Sequence, residues 1–123
     1  MTELLVDTEM DKEKEGVYFI TPENLNQLRF IKTGSFSKAT IRNCNVSYLT
    51  GYNLQSLFNS LQKDGYATIT IDQPVLVLQD YDENTIKANA ELAGFKNIRS
   101  KEVKAYCQGL ESEVETISIT LIK

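Results

Sequence analysis

The sequence predicts an α/β domain of three layers, with a central, mostly parallel sheet and an antiparallel edge. Three observations carry that prediction. Apolar, β-branched runs alternate with segments of helical period along the chain. Leu54, Leu57, Phe58 and Leu61 follow the i, i+3, i+4, i+7 spacing of an amphipathic helix. The last two β-like runs, residues 98–105 and 116–122, are joined only by a short acidic turn, and strands so joined pair antiparallel.

In chain order, Leu4, Leu5 and Val6 read as a short first strand, and residues 9–15 as a charged, solvated loop. Val17, Tyr18, Phe19 and Ile20 are aromatic or branched and read as the second strand. Thr21, Pro22 and Glu23 then give a helix start: a hydroxyl cap, proline at the first position and an acid in the first turn. Leu25, Leu28 and Ile31 lie behind it at helical spacing, and Gly34 stops that helix. Residues 39–46 read as a third strand. The clear helix around Leu54 and Leu61 follows, closed by Lys63, Asp64 and Gly65, with the glycine expected in a left-handed cap. YATITI at 66–71 is a strong strand, broken by Gln73 and Pro74. Residues 75–78 fit either a short strand or a buried connection. Asp82 caps a helix whose apolar positions are Ile86, Ala90 and Ala93. Gly94 closes it, and Phe95 folds back on its last turn. In the final run Ile117, Ile119 and Leu121 share one face.

Length and composition bound the functional classes. A chain of 123 residues is the size of one domain, so residues 1–123 are expected to form a single unit. A domain of this size buries roughly two-thirds of its unfolded surface and needs no disulfide or metal staple. The net charge is −4, and the 13 basic residues are scattered among 17 acidic ones. Gripping a phosphate backbone or an anionic membrane takes clustered positive charge, so neither is expected as a partner. No apolar run is long enough to span a bilayer, and the first residues lack the pattern of a signal peptide; a cytoplasmic location is expected. Cys44 and Cys107 are far apart, without metal-ligand spacing, and are expected as free thiols serving as small packing residues.

The common catalytic constellations are missing. With no histidine there is no Ser-His or Cys-His nucleophile and no histidine zinc site. Two isolated cysteines cannot complete a four-thiolate zinc or iron–sulfur centre. The sequence contains no P-loop. After the first strand, where a glycine-rich dinucleotide loop would sit, it reads Asp7, Thr8, Glu9, Met10, Asp11, Lys12, Glu13. Those acids repel phosphate, and their side chains obstruct a close backbone approach. No enzymatic activity, metal or cofactor is expected of this chain.

Two groups are candidate partner-binding residues. Tyr48 and Tyr52 flank Leu49, Thr50 and Gly51 where a strand end leads into a helix, and the carboxyl ends of strands are where ligands and partners meet an α/β sheet. Tyrosine joins an apolar body to a polar tip and suits interfaces. The plainer alternative is that these rings cover a sheet edge. Glu111, Glu113 and Glu115 fit an acidic docking patch for a basic partner or, more plainly, a solvated loop. Asp80, Asp82 and Glu83 fit a hard-cation site or a pair of catalytic carboxylates less well than a helix start, because the spacing and glycine of a calcium loop are absent.

From Leu54 onward the sequence resembles the back half of a class I methyltransferase. A leader helix ends in Lys63, Asp64 and Gly65 and runs into the strand Tyr66 to Ile71; a later helix ends Leu92, Ala93, Gly94, Phe95; a closing antiparallel pair follows. Such enzymes bind S-adenosylmethionine with a glycine-rich loop after the first strand and an acid ending the second. This chain lacks that loop, and its front half is short for the full set of elements, so it is similar to a truncated, degenerate member. The N-terminal domain of the anamorsin family, cytosolic iron–sulfur assembly factors, has this order and also lacks the loop; residues 61–66 and 92–95 carry the likeness. The resemblance implies a non-catalytic domain that docks a diflavin reductase for electron transfer in cytosolic iron–sulfur cluster assembly. It implies clusters only where a cysteine-rich C-terminal region exists. The alternatives are a methyltransferase-like accessory subunit of another complex and a divergent S-adenosylmethionine-dependent methyltransferase.

Overall fold

The computed structural model describes residues 2–8, 16–72, 83–107 and 112–123. Six strands form one sheet: β1 (Thr2–Val6), β2 (Val17–Ile20), β3 (Phe36–Arg42), β4 (Leu61–Asp72), β5 (Asn97–Cys107) and β6 (Ser112–Ile122). Their spatial order is β2-β1-β3-β4-β6-β5. The first four are parallel, and β6 runs antiparallel to both β4 and β5. This is the predicted α/β class, mostly parallel with an antiparallel edge. Two α-helices, α1 (Gly51–Ser60) and α2 (Glu83–Ala93), and a 3₁₀ stretch, Pro22–Phe30, lie in the connections.

The order of the strands decides where the helices go. The chain steps from β1 outward to β2, and every later crossover moves the opposite way across the sheet. Right-handed crossovers that all move one way place their helices on one face. Accordingly the 3₁₀ stretch, α1 and α2 lie side by side, with α1 packed against both neighbours. Of the three layers expected, the described residues supply two. The single crossover in the other direction, from β1 to β2, is made by residues 7–16, at the lower limit of the ~10–12 residues that a helical crossover needs.

The core lies between that helical layer and the sheet. Leu4 and Val6 of β1, Ala39 and Ile41 of β3, Ala67, Ile69 and Ile71 of β4, and Ile117, Ile119 and Leu121 of β6 are all buried. Leu25, Leu28, Leu54, Leu57, Ile86 and Ala90 meet them from the helices. The alternate residues point the other way. Thr40, Thr68 and Thr120 stand in one cross-strand row, and they are only half-buried.

Several local expectations change in detail. The segment after Thr21 winds as 3₁₀ rather than α, and the Thr21 hydroxyl accepts a bond from Asn24 Nδ2 (2.8 Å) instead of capping a backbone amide. Residues 61–65, expected to finish α1, already belong to β4; the helix ends at Ser60. The left-handed residue there is Asp64 (φ 64°), not Gly65. Gly65 is needed for space: a Cβ would stand 2.8 Å from the Gln62 carbonyl oxygen. Gly94 does take a positive φ (118°), and Phe95 folds back, donating its amide to the Ala90 carbonyl. Phe95 then meets Phe58 edge-on at 5.1 Å, and the Lys123 ammonium lies 4.7 Å from the Phe58 ring centre while donating to the Leu61 carbonyl. Glu113 and Glu115 are in β6 rather than in a loop, because the hairpin ladder extends to the pair Cys107 and Ser112. The readings made for residues 9–15 and 75–78, for Asp80 and Asp82, and for Glu111 fall outside the described residues. Glu83 makes an i,i+4 ion pair with Lys87 (3.4 Å), as a helix first turn would.

Candidate functional site

The sheet reverses its strand order between β1 and β3, so the crevice at their carboxyl ends is the topological switch point where open α/β sheets take ligands. Here the crevice holds the chain's own polar network. Asp7, the residue after β1, is buried, with 5% of its surface exposed. Its Oδ1 accepts from the Thr8 amide (2.7 Å) and from Asn43 Nδ2 (3.0 Å), and its Oδ2 is 3.2 Å from Arg42 Nη2. Its own amide donates to the Ile20 carbonyl, so one residue ties together the ends of β1, β2 and β3. A carboxylate is retained at such a depth only when its lone pairs are filled, and this one is filled from within the chain. Asn43 reaches it because its backbone turns left-handed (φ 53°), a conformation that asparagine tolerates.

The chain leaving β3 is pinned at each step. Cys44 is buried and free, and burial pushes its thiol up to about 12. Asn45 caps a short 3₁₀ turn, Val46–Tyr48, by accepting from the Ser47 amide. Thr50 caps α1 by accepting from the Asn53 amide (3.1 Å), and Asn53 Nδ2 bonds the Tyr48 carbonyl (2.8 Å). Leu49 is fully buried, with its carbonyl held by Asn89 of α2.

On this fixed frame the two predicted tyrosines face solvent. Tyr48 is 36% exposed and Tyr52 56%. The structure adds two residues that sequence reasoning missed, Arg29 and Phe30 at the end of the 3₁₀ stretch. The Arg29 guanidinium lies over the Phe30 ring, 4.6 Å from its centre, and donates to the Tyr52 hydroxyl (3.3 Å). Phe30 is 75% exposed. The sequence signal for it was faint: Phe30 breaks the Leu25 and Leu28 spacing and so falls off the buried face. Of the acidic candidates, Glu115 is exposed and stands opposite Lys104 in β5, just past the carboxyl end of β4. The backbone of Glu113 pairs with Tyr106. Tyr48 and Glu115 therefore share the carboxyl end of the sheet, with the β4 end between them. Among the described residues no three His, Cys, Asp or Glu side chains could hold a metal, and no helix is long and apolar enough to cross a membrane.

No family model matches the chain, and no curated protein sequence matches it significantly. Solved structures do match it in shape. A SAM-dependent methyltransferase from Archaeoglobus fulgidus covers 99% of this chain and 86% of its own, with a TM-score of 0.66 and 11% identity. One from Thermotoga maritima, described as a possible histamine N-methyltransferase, covers 88% of this chain with a TM-score of 0.60 and 15% identity; the match spans 65% of its length. A Haemonchus contortus phosphoethanolamine N-methyltransferase, solved with S-adenosylhomocysteine, covers 90% with a TM-score of 0.59 and 11% identity, over 38% of its own length. At these identities the likeness shows the fold: a Rossmann-like sheet of the methyltransferase type.

Proposed function

We propose that this methyltransferase-type domain works by docking another protein and does not transfer methyl groups. The observation that carries the reading is the Asp7 network. In this fold class the switch-point crevice is the ligand position, and here its anchoring carboxylate is already bonded by Thr8, Asn43 and Arg42. A nucleoside cofactor would have to displace bonds that the chain makes to itself. The residues following β2, Thr21 and Pro22, offer no carboxylate for a ribose. The docking surface is the exposed cluster of Tyr48, Tyr52, Arg29 and Phe30, flanked by Glu115, and the reading keeps Glu111 and Glu113, close to it in sequence, as part of the acidic patch. Tyrosine and arginine held in place by caps and ring stacking are the residue types that dominate interface energetics, and a fixed frame lowers the ordering cost of binding. The resemblance to the anamorsin N-terminal domain supplies the candidate partner, a diflavin reductase, and with it a role in electron transfer for iron–sulfur assembly in the cytoplasm.

The test has two arms. Calorimetric titration with S-adenosylmethionine should give no heat of binding and no change in melting temperature. Surface plasmon resonance against a purified diflavin reductase should show binding that falls at least tenfold in Tyr52→Ala and in Phe30→Ala, and less in Glu115→Lys. Absence of any binding removes the diflavin partner.

The shared fold favours a second reading, a divergent S-adenosylmethionine-dependent methyltransferase. A ligand at 100 times its dissociation constant adds about 2.7 kcal/mol to stability. A shift of that size with S-adenosylmethionine would favour the enzyme over the docking domain.

A further inference from the structure

The face of the sheet opposite the helices carries a pattern that no single segment of the sequence displays. Register places Lys38, Tyr66, Ile122 and Asn97 in one row across β3, β4, β6 and β5. Thr40, Thr68, Thr120 and Arg99 form the next row, and Arg42, Thr70, Ser118 and Lys101 the third. Side chains of paired residues share a face. The floor holds Tyr66 and Ile122 in the first row and short hydroxyl side chains in the next two, Thr68, Thr70, Ser118 and Thr120, all half-buried. The rims are cationic: Lys38 and Arg42 on β3, Arg99 and Lys101 on β5. Three strand spacings of about 4.8 Å put those rims about 14 Å apart. Arg99 and Lys101 are exposed, and Arg99, Lys101 and Lys38 make no ion pair among the described residues. Glu3 lies beside Lys38 in register, outside the trough, and Asp7 is taken up by Arg42. The trough ends at the row of Val103 and Thr116, where Thr116 is fully buried.

We propose that this trough is a second docking surface, and that it takes an acidic α-helix of a partner protein. The dimensions and the charge select that occupant. A helix with its side chains is about 10–12 Å across, which fits between rims about 14 Å apart. Threonine and serine are short enough to let a helix settle onto the strands. The parallel pair β3 and β4 is of the kind ordinarily covered on both faces, and the described helices all occupy the other one. The chain as a whole is acidic (net charge −4), so a second copy has no general excess of positive charge to offer, and two such basic faces repel each other. A helix with glutamates along both flanks meets Lys38 on one rim and Arg99 and Lys101 on the other, the three rim cations with no ion pair among the described residues, whereas an extended strand or a single-stranded nucleic acid follows one rim. The surface is separate from the Tyr48 and Tyr52 cluster and goes beyond the docking reading above.

The probe is a synthetic helical peptide with glutamates on both flanks, alanine and leucine between them and a fluorescent label, followed by anisotropy against the intact chain. Binding should weaken at least tenfold in the Arg99→Glu/Lys101→Glu variant. It should also weaken in Lys38→Glu on the opposite rim, and stay unchanged in Lys87→Glu on α2 and in Tyr52→Ala. Urea unfolding of each variant separates loss of the surface from loss of the fold. Absence of peptide binding, or binding indifferent to the rim reversals, overturns the proposal. So does a labelled oligouridylate that binds more tightly than the peptide and is released by the same reversals, which would make the trough a nucleic-acid surface. A tyrosine variant that lost the reductase but kept the peptide would leave this inference standing apart from the first.

Discussion

The two faces of the sheet are made by the same strands and differ in every property. One presents Leu4, Val6, Ile41, Ile69 and Ile119, all sealed beneath helices; the other presents Leu5, Thr40, Thr68, Thr120 and Arg99, half-buried or exposed. Along β4 the two sets are interleaved residue by residue, as Ala67, Ile69 and Ile71 against Thr68 and Thr70. The difference teaches that covering a sheet is decided by the direction of its crossovers. Once three successive crossovers move one way, right-handedness commits their helices to one side. Among the described residues no helix packs on the other side, where the hydroxyl rows are half-buried and Thr116 at their end is fully buried.

The largest expected effect lies on the sealed face. Ile69→Ala removes a fully buried side chain of β4 from the core and should cost about 2–5 kcal/mol, read as a fall in the urea midpoint with unchanged slope. A loss below about 1 kcal/mol would mean that this face is packed no better than the other. Next comes Gly65, at the corner where β4 begins. An alanine Cβ there meets the Gln62 carbonyl at 2.8 Å and the Ser37 carbonyl at 3.2 Å, both backbone atoms that cannot rotate away. Gly65→Ala should cost about 1–3 kcal/mol. Gly34→Ala makes a sharp control. Its φ is +76° with open space around it, so only the backbone preference of about 1–2 kcal/mol is lost.

Cys44 gives a smaller and pH-dependent effect. Its thiol is buried, with Sγ 3.4 Å from the Asn45 carbonyl, and its ionisation is pushed from 9.0 to about 12 by desolvation. A raised acid favours the fold fully below pH 9 and loses that contribution as pH climbs from 9 toward 12. Relative to Cys44→Ala, the parent should therefore lose roughly 1 kcal/mol of stability per pH unit across that window. In a Cys107→Ser background, native Cys44 should also react with iodoacetamide at pH 8 far more slowly than the urea-unfolded chain. Equal rates would place the thiol outside the sealed side of the molecule.

Much of this was legible in the sequence, and the failures have specific causes. The helix at Leu54, Leu57 and Phe58, the strand YATITI and the fold-back of Phe95 were readable because period and turn chemistry are local properties. Tyr48 and Tyr52 were readable as exposed because they bracket a capped helix start. Arg29 and Phe30 were not, since their link to Tyr52 joins segments 23 residues apart. The Asp7 network was missed for the same reason. Asp7 was read only as an acid hostile to phosphate, while its partners Arg42 and Asn43 come from another strand. The described residues carry two of the three expected layers, and on β4 and β6 the sequence itself marks one face as polar. Strands buried on both faces read as continuous apolar runs, whereas YATITI and TISITLI alternate with threonine and serine over residues 67–71 and 116–121. The basic residues look scattered in one dimension because a cross-strand row draws one residue from each strand.

The smallest expected effect is the most direct way to break the comparison of the two faces. Thr68 stands at the centre of the open face, between Thr40 and Thr120 in register and half-buried. Thr68→Ile adds bulk and removes a hydroxyl at a position where no described helix packs. On an open face the larger β-branched side chain is accommodated, and stability should change by no more than about 0.5 kcal/mol in either direction. Beneath a second packed layer the same substitution would overfill the space and cost about 1–3 kcal/mol. Adding a bound helical partner should reverse the outcome: Thr68→Ile should leave the isolated chain intact and weaken its complex, because the bulk now lies between the helix and the floor. A variant neutral in both states would show that nothing lands on this face. A variant that unfolds the isolated chain would show that the face is already covered from within.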